Sequence, residues 1–207
     1  MPVRSKRLLL GGCCLWLLIV GFDVLHSTGE VGMTAKNGSG CVCHGFTPSS
    51  GVNVWIEGPA SVTAGSSTPY QLVMTGGPAA AGGYNVAAAH GSLSPSDTTS
   101  QSLDPGTGGS VELTHAAPKP FTGDTVRWAF TYQAPSAAGA ETLYSVGNSV
   151  DLNGNPTGDG WNDGALKLIA VEPDTAVSVT EGPRPDVAHG SPLLLRCYPN
   201  PFNPRTR

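Results

Sequence analysis

An antiparallel β-sandwich is the fold this sequence predicts, and three observations carry that reading. Apolar and polar residues alternate over short runs, most clearly across Thr125–Gln133. Gly 28 and Pro 18 together exceed a fifth of the 207 residues, which places turn signals too close together for long helices. No segment shows a convincing amphipathic helical period. Recurrent Trp, Tyr, Phe, Val and Leu in the alternating runs argue against disorder throughout.

The chain begins with a three-part signal-peptide layout over residues 1–28: basic Arg4, Lys6 and Arg7, an apolar run over 8–20, then a more polar stretch over 23–28. The apolar run falls short of the roughly 20 residues that span a bilayer, so no stable membrane span is expected after cleavage. Leu10-Gly11-Gly12-Cys13 resembles a lipoprotein cleavage box, but the apolar run continues beyond Cys13. The cut is expected between Gly21 and Gly29. Cleavage removes three positive charges and Asp23 from a formal net charge of -4, leaving -6, and no basic patch remains to hold nucleic acid.

Residues 29–51 are polar and Gly-rich and read as a loop, with Cys41, Cys43 and His44 at its centre. The β-sandwich domain follows over 52–171. Val52, Val54 and Ile56 give the first strand, stopped by Gly58-Pro59; Tyr70, Leu72 and Met74 the second; Tyr84, Val86 and Ala88 the third. Val111 and Leu113 form a short strand whose period sets His115 on the inner side. Val126, Trp128, Phe130 and Tyr132 share one face of the next and carry the largest apolar area, so they are expected in the core. Strands over 142–146 and 166–171 complete a set of seven, with a barrel as the lesser option. Pro173, Pro183, Pro185 and Pro192 mark 172–196 as an extended linker.

The chain ends, over 197–207, on Tyr198, Pro199, Asn200, Pro201, Phe202, Asn203 and Pro204. This run is similar to the start of the C-terminal sorting domain of bacterial type IX secretion cargo, of which only about the first ten residues are present. The resemblance implies the type IX machinery as a partner and a truncated sorting domain. Gly82-Gly83-Tyr84-Asn85-Val86, Glu112-Leu113-Thr114-His115, Trp128-Ala129-Phe130-Thr131-Tyr132 and the stretch from Gly147 to Asn162 resemble the choice-of-anchor V family and, more distantly, reelin-type (reeler) domains. Members commonly carry a Cys-Cys-His element at the N-terminal edge, matched here by Cys41, Cys43 and His44. The likeness implies a secreted or surface sandwich, immunoglobulin- or reeler-like, with no assigned reaction.

Cys41, Cys43 and His44 supply the two thiols and the adjacent imidazole of a c-type haem attachment site, with one spacer residue fewer than Cys-x-x-Cys-His. Residues two apart in an extended chain point the same way, so the shorter spacer alters both the separation and the direction of the thiols. A strained Cys41–Cys43 disulfide and a zinc or copper site remain alternatives. Met33, Met74, His90 and His115 are candidate distal ligands, and His90 and His115 are also weaker metal candidates in their own right. Asp151, Asn153, Asn155 and Asp159 alternate oxygen donors at a spacing calcium accepts, although Pro156 stands where an EF-hand needs Gly, and Asn-Gly turn chemistry explains the same residues.

No nucleophile elbow, zincin helix or phosphate-binding loop appears, so no enzyme class is nominated. The expected function is a non-catalytic secreted or cell-surface module, structural or adhesive, reaching the exterior through the periplasm and meeting an extracellular partner there. The alternatives are an extracellular haem electron-transfer protein and a carbohydrate-binding module using Trp55 and Trp161.

Overall fold

The computed structural model describes residues 28–106 and 108–175. The signal peptide apart from Thr28, residues 176–196 of the linker, and the sorting motif lie outside the described residues, as do Cys13, Cys14 and Cys197. The chain divides into two units, 1–174 and 175–207, and Thr175 alone of the second is described. Among the described residues no helix is long and apolar enough to cross a membrane.

One 3₁₀ turn over Val42–His44 precedes twelve strands: β1 (Val52–Glu57), β2 (Ser61–Thr63), β3 (Ser67–Gly76), β4 (Ala81–Ala88), β5 (Ser92–Pro95), β6 (Ser100–Leu103), β7 (Glu112–His115), β8 (Lys119–Pro120), β9 (Thr125–Gln133), β10 (Gly139–Val150), β11 (Gly160–Asp163) and β12 (Lys167–Glu172). They form a four-stranded sheet in the order β1-β3-β9-β5 and an eight-stranded sheet in the order β2-β12-β10-β4-β7-β6, with β11 added to β10 and β8 to β4. All the pairings are antiparallel except β12 with β2. The fold is therefore a β-sandwich. β1 and β9 have the bounds their alternation predicts, whereas β2, β5, β6, β8 and β11 are too short or too polar for a period to register.

The core lies between the sheets. Val126, Trp128, Phe130 and Tyr132 of β9 are all within 2% exposure, and with Tyr70, Leu72 and Met74 of β3 they face Tyr84, Val86, Leu113, Leu143 and Ile169 of the other sheet. Tyr84 meets Trp128 across the gap with ring centroids 4.7 Å apart. The T-shaped contact of Tyr70 with Tyr132, at 6.0 Å, extends the aromatic layer along the small sheet.

β4 departs from the half-buried strand its pattern suggests, because every one of its eight residues is buried. Its Tyr84 face meets the core, while Asn85 on the opposite face bonds to residues of the N-terminal segment and of β7. The Gly-rich segment before β1 thus forms a third layer against the large sheet. Glu112 anchors it. This carboxylate, at 0% exposure, accepts hydrogen bonds from the amides of Gly32, Met33 and Thr34, the Thr34 hydroxyl, and the side-chain amides of Asn37 and Asn85. All six are donors, which an acceptor-only group can satisfy together.

Candidate functional site

Between this covering segment and the edge of the sheet lies a cavity of about 280 Å³, walled mainly by carbon and lined by Met33, Cys41, Cys43, His44, His115 and Asn148 among others. Its volume is just below the range of about 300–1,000 Å³ usual for small-molecule sites. Gly40 and Trp161 set the Cys-His turn in place. Gly40 adopts φ +88, and a Cβ there would come 2.1 Å from the Trp161 ring, so backbone conformation and packing both require glycine. Trp161 is 2% exposed and its Nε1–H donates to the Gly45 carbonyl at 2.7 Å, gripping the turn from both ends. Buried in this way, Trp161 offers no stacking platform for a sugar. Trp55 is half-buried, with its Nε1–H bonded to Glu57.

The chain at Cys41 and Cys43 is turned, not extended as the spacing argument assumed. Cys43 lies inside the 3₁₀ turn over Val42–His44, and Cys41 is its N-cap, with φ -80 and ψ 54. Cys41 is partly buried and Cys43 is exposed; both are free thiols lining the same cavity. Burial, followed by the charges of Asp163, Cys43 and Glu112, pushes the Cys41 thiol up to about 12.

His44 is oriented by a carboxylate. Its Nδ1 lies 2.7 Å from Asp159, whose side chain is 4% exposed, and because a carboxylate only accepts, Nδ1–H is the donor. In the Nδ1–H tautomer the lone pair lies on Nε2, for which no hydrogen bond occurs among the described residues. A histidine held by a carboxylate through one nitrogen is the usual arrangement of a metal-ligating imidazole.

His115 is held the other way round. The Tyr84 amide, which only donates, lies 3.1 Å from His115 Nδ1, while the Tyr84 carbonyl is too distant at 3.4 Å to compete. Nδ1 therefore accepts and Nε2 carries the proton. Burial holds this imidazole below its ordinary pKa; a hydrogen bond with the Tyr84 backbone acts in the opposite direction, and His44 adds to the lowering. The strand period placed His115 on the inner side, but its ring lies against Gly83, where a Cβ would meet it at 2.5 Å. It is not part of the apolar core cluster.

Of the remaining distal-ligand candidates, Met33 lines the cavity, whereas Met74 is fully buried in the core. His90 does not line the cavity; its side chain is 73% exposed and sits 3.7 Å from Glu141. Three of the four oxygen-donor residues of the 151–159 loop, Asp151, Asn153 and Asp159, accept hydrogen bonds. Asp151 accepts from the amide of Asn153 and from its side chain, Asn153 accepts from the Asn155 amide, and Asp159 holds the Asp151 amide as well as His44. These are Asx-turn contacts. Among the described residues no group of three or more His, Cys, Asp or Glu is placed to hold a metal ion. Asp159, read as a calcium donor, joins the Cys-His turn to the loop 115 residues away in sequence.

No family model and no curated protein matches the chain. Among solved structures it is similar to the CARDB domain of PF1109 from Pyrococcus furiosus in solution, at 16% identity over 59% of this chain and 94% of that one, with a TM-score of 0.34. The crystal structure of the same domain with di-metal ions gives 16% identity over 58% and 86%, with a TM-score of 0.33. PapD-like domain 7 of human CEP192 gives 9% identity over 61% and 87%, with a TM-score of 0.29. Nothing about the cavity follows from these similarities.

Proposed function

We propose that the chain is an exported, non-catalytic β-sandwich module that carries a c-type haem, joined to Cys41 and Cys43 and ligated by His44, and that it works outside the cell. One observation carries the reading: two free thiols and a carboxylate-oriented imidazole line a single carbon-walled cavity. Haem attachment asks for this set. Cys41 and Cys43 would hold the group as thioethers, each S–H adding across one vinyl double bond with sulfur on one carbon and hydrogen on the other, which would consume no oxidant and release no leaving group. A disulfide would need a two-electron oxidant. One further feature fits a bound group: Asn148 lines the cavity and its Oδ1 is buried without a partner.

The signal-peptide layout and the type IX-like ending support export, with the sorting machinery as the partner in transit. A purely structural or adhesive role is the simpler reading of the sandwich, but it gives no use for the lined cavity. The test is haem retention. Protein purified from its native host, or from a host with haem-maturation machinery, is expected to keep haem after denaturation and acid–acetone extraction. Cys41→Ser with Cys43→Ser should lose it. Colourless native protein would leave the structural module as the function.

A further inference from the structure

Asn or Asp precedes glycine at Asn37, Asn153, Asp159 and Asp163, and the fold treats one of these steps differently from the rest. Glycine has no side chain to shield its amide nitrogen from the carbonyl carbon of the preceding side chain, so each step has the covalent order for ring closure. Three are obstructed. The Gly38 amide donates to the Thr34 carbonyl at 2.7 Å and the Gly164 amide to the Ser145 carbonyl at 2.8 Å, while Gly160 is buried in β11 opposite Ser149. Gly38 is also crowded, since a Cβ on it would lie 1.6 Å from the Gly32 carbonyl oxygen. Gly154 is exposed, its amide makes no hydrogen bond among the described residues, and a Cβ on it would meet nothing within 4 Å. Asn37 is pinned to the Ser110 backbone and to Glu112, whereas Asn153 is held only by its own exposed loop, through Asp151, Asn155 and Thr157. Local contacts of that kind open without moving a sheet.

We propose that Asn153 is a site of spontaneous deamidation, and that the product loosens the loop that carries Asp159. The Gly154 nitrogen gives its proton to hydroxide and bonds to Asn153 Cγ; the Cγ–Nδ2 bond breaks, and the nitrogen leaves as ammonia with a proton from water. Water then opens the five-membered succinimide at either carbonyl, giving aspartate or isoaspartate at position 153. One water is consumed and one ammonia released, with nothing oxidised or reduced. The new carboxylate only accepts, so the hydrogen bonds that Asn153 Nδ2 gives to Asp151 Oδ2 at 2.8 Å and to the Thr157 carbonyl at 3.1 Å are lost. Two anions then face each other where a hydrogen bond stood. Asp151 is tied through its own amide to Asp159, which orients His44, so the strain is passed toward the Cys-His turn. Nothing in this step depends on haem.

The test is timed incubation of the whole folded protein in warm, mildly alkaline buffer, followed by peptide mapping with tandem mass spectrometry to localise the change. Residue 153 should become one mass unit heavier, in aspartate and isoaspartate forms, at least about tenfold faster than residue 37, a barrier difference of about 1.4 kcal/mol. In guanidinium chloride the two rates should converge, because only the fold separates the two Asn-Gly steps. Asn153→Gln, whose ring would have six members, should leave position 153 unchanged over the same time. Asn153→Asp should accelerate amide exchange at Asp151 while the β3–β9 amides keep their protection. Equal rates in the folded protein, or faster change at Asn37, would overturn the site. A difference of about tenfold that persists in denaturant would overturn the part assigned to the fold, and unchanged exchange at Asp151 in Asn153→Asp would overturn the coupling to Asp159.

Discussion

Replacing Trp128 with alanine is expected to lower the unfolding free energy by about 3–5 kcal/mol, the usual cost of emptying a large aromatic site in a packed core. Trp128 is fully buried on β9, touches Tyr84 of the opposite sheet, and occupies the middle of the aromatic layer. No smaller side chain bridges both sheets from that position. Its Nε1–H has no partner, however, so part of what the ring contributes is offset by an unsatisfied donor. Trp128→Phe removes that donor along with some volume and should cost clearly less than alanine. Urea denaturation of both variants checks this. A loss below about 1 kcal/mol for alanine, or phenylalanine more harmful than alanine, would contradict the packing described.

Glu112→Ala is expected to be comparably damaging, at about 3–5 kcal/mol, for a different reason. Its removal leaves six donors around a buried site with no acceptor, and each unpaired group costs about 1–3 kcal/mol before water or local rearrangement recovers some of it. The damage should be local as well as global, because Glu112 is what fastens residues 32–37 to the large sheet. Amide exchange at Gly32, Met33 and Thr34 should accelerate sharply while the β3–β9 amides keep more of their protection. Glu112→Gln has the same shape but one acceptor oxygen fewer and two added hydrogens facing donors, so it should not restore the native state. Unchanged exchange at residues 32–34 in Glu112→Ala would show that the carboxylate does not hold the segment.

These two residues also mark how far the sequence could be read. Trp128 was legible because a strand with one apolar face announces itself by a period of two, and local alternation is enough to place it. Glu112 was not. Between Val111 and Leu113 it reads as an outward-facing acid, and it is buried only because a segment about 80 residues earlier folds over it. The available signal was weak: a lone acid inside a short apolar strand, with a Gly-rich segment elsewhere rich in unpaired amides. The full burial of β4 is hidden on the same account, since small residues at Ala81, Gly83 and Ala87 look neutral to any periodic test and become informative only when a third layer lies against them.

At the site, Cys41, Cys43 and His44 were visible as a motif, and His115 as a candidate without a location. Their assembly depends on contacts remote in sequence: Asp159 with His44, Trp161 with Gly40 and Gly45, and His115 with Gly83. Asp159 illustrates the ambiguity well. Alternating Asp and Asn in a loop suit calcium and Asx turns equally, and nothing local points to a histidine in another segment. The direction of the two thiols was likewise beyond a spacing argument, because spacing presumes a conformation and the chain here adopts a 3₁₀ turn.

The central claim is that Cys41 and Cys43 are the attachment points of a haem, and peptide mapping of the native protein by tandem mass spectrometry tests it most directly. The account predicts one haem-bearing peptide spanning residues 38–47, with both thiols converted to thioethers and His44 unmodified. The same peptide without haem and two hydrogens lighter, as a Cys41–Cys43 disulfide requires, would contradict it.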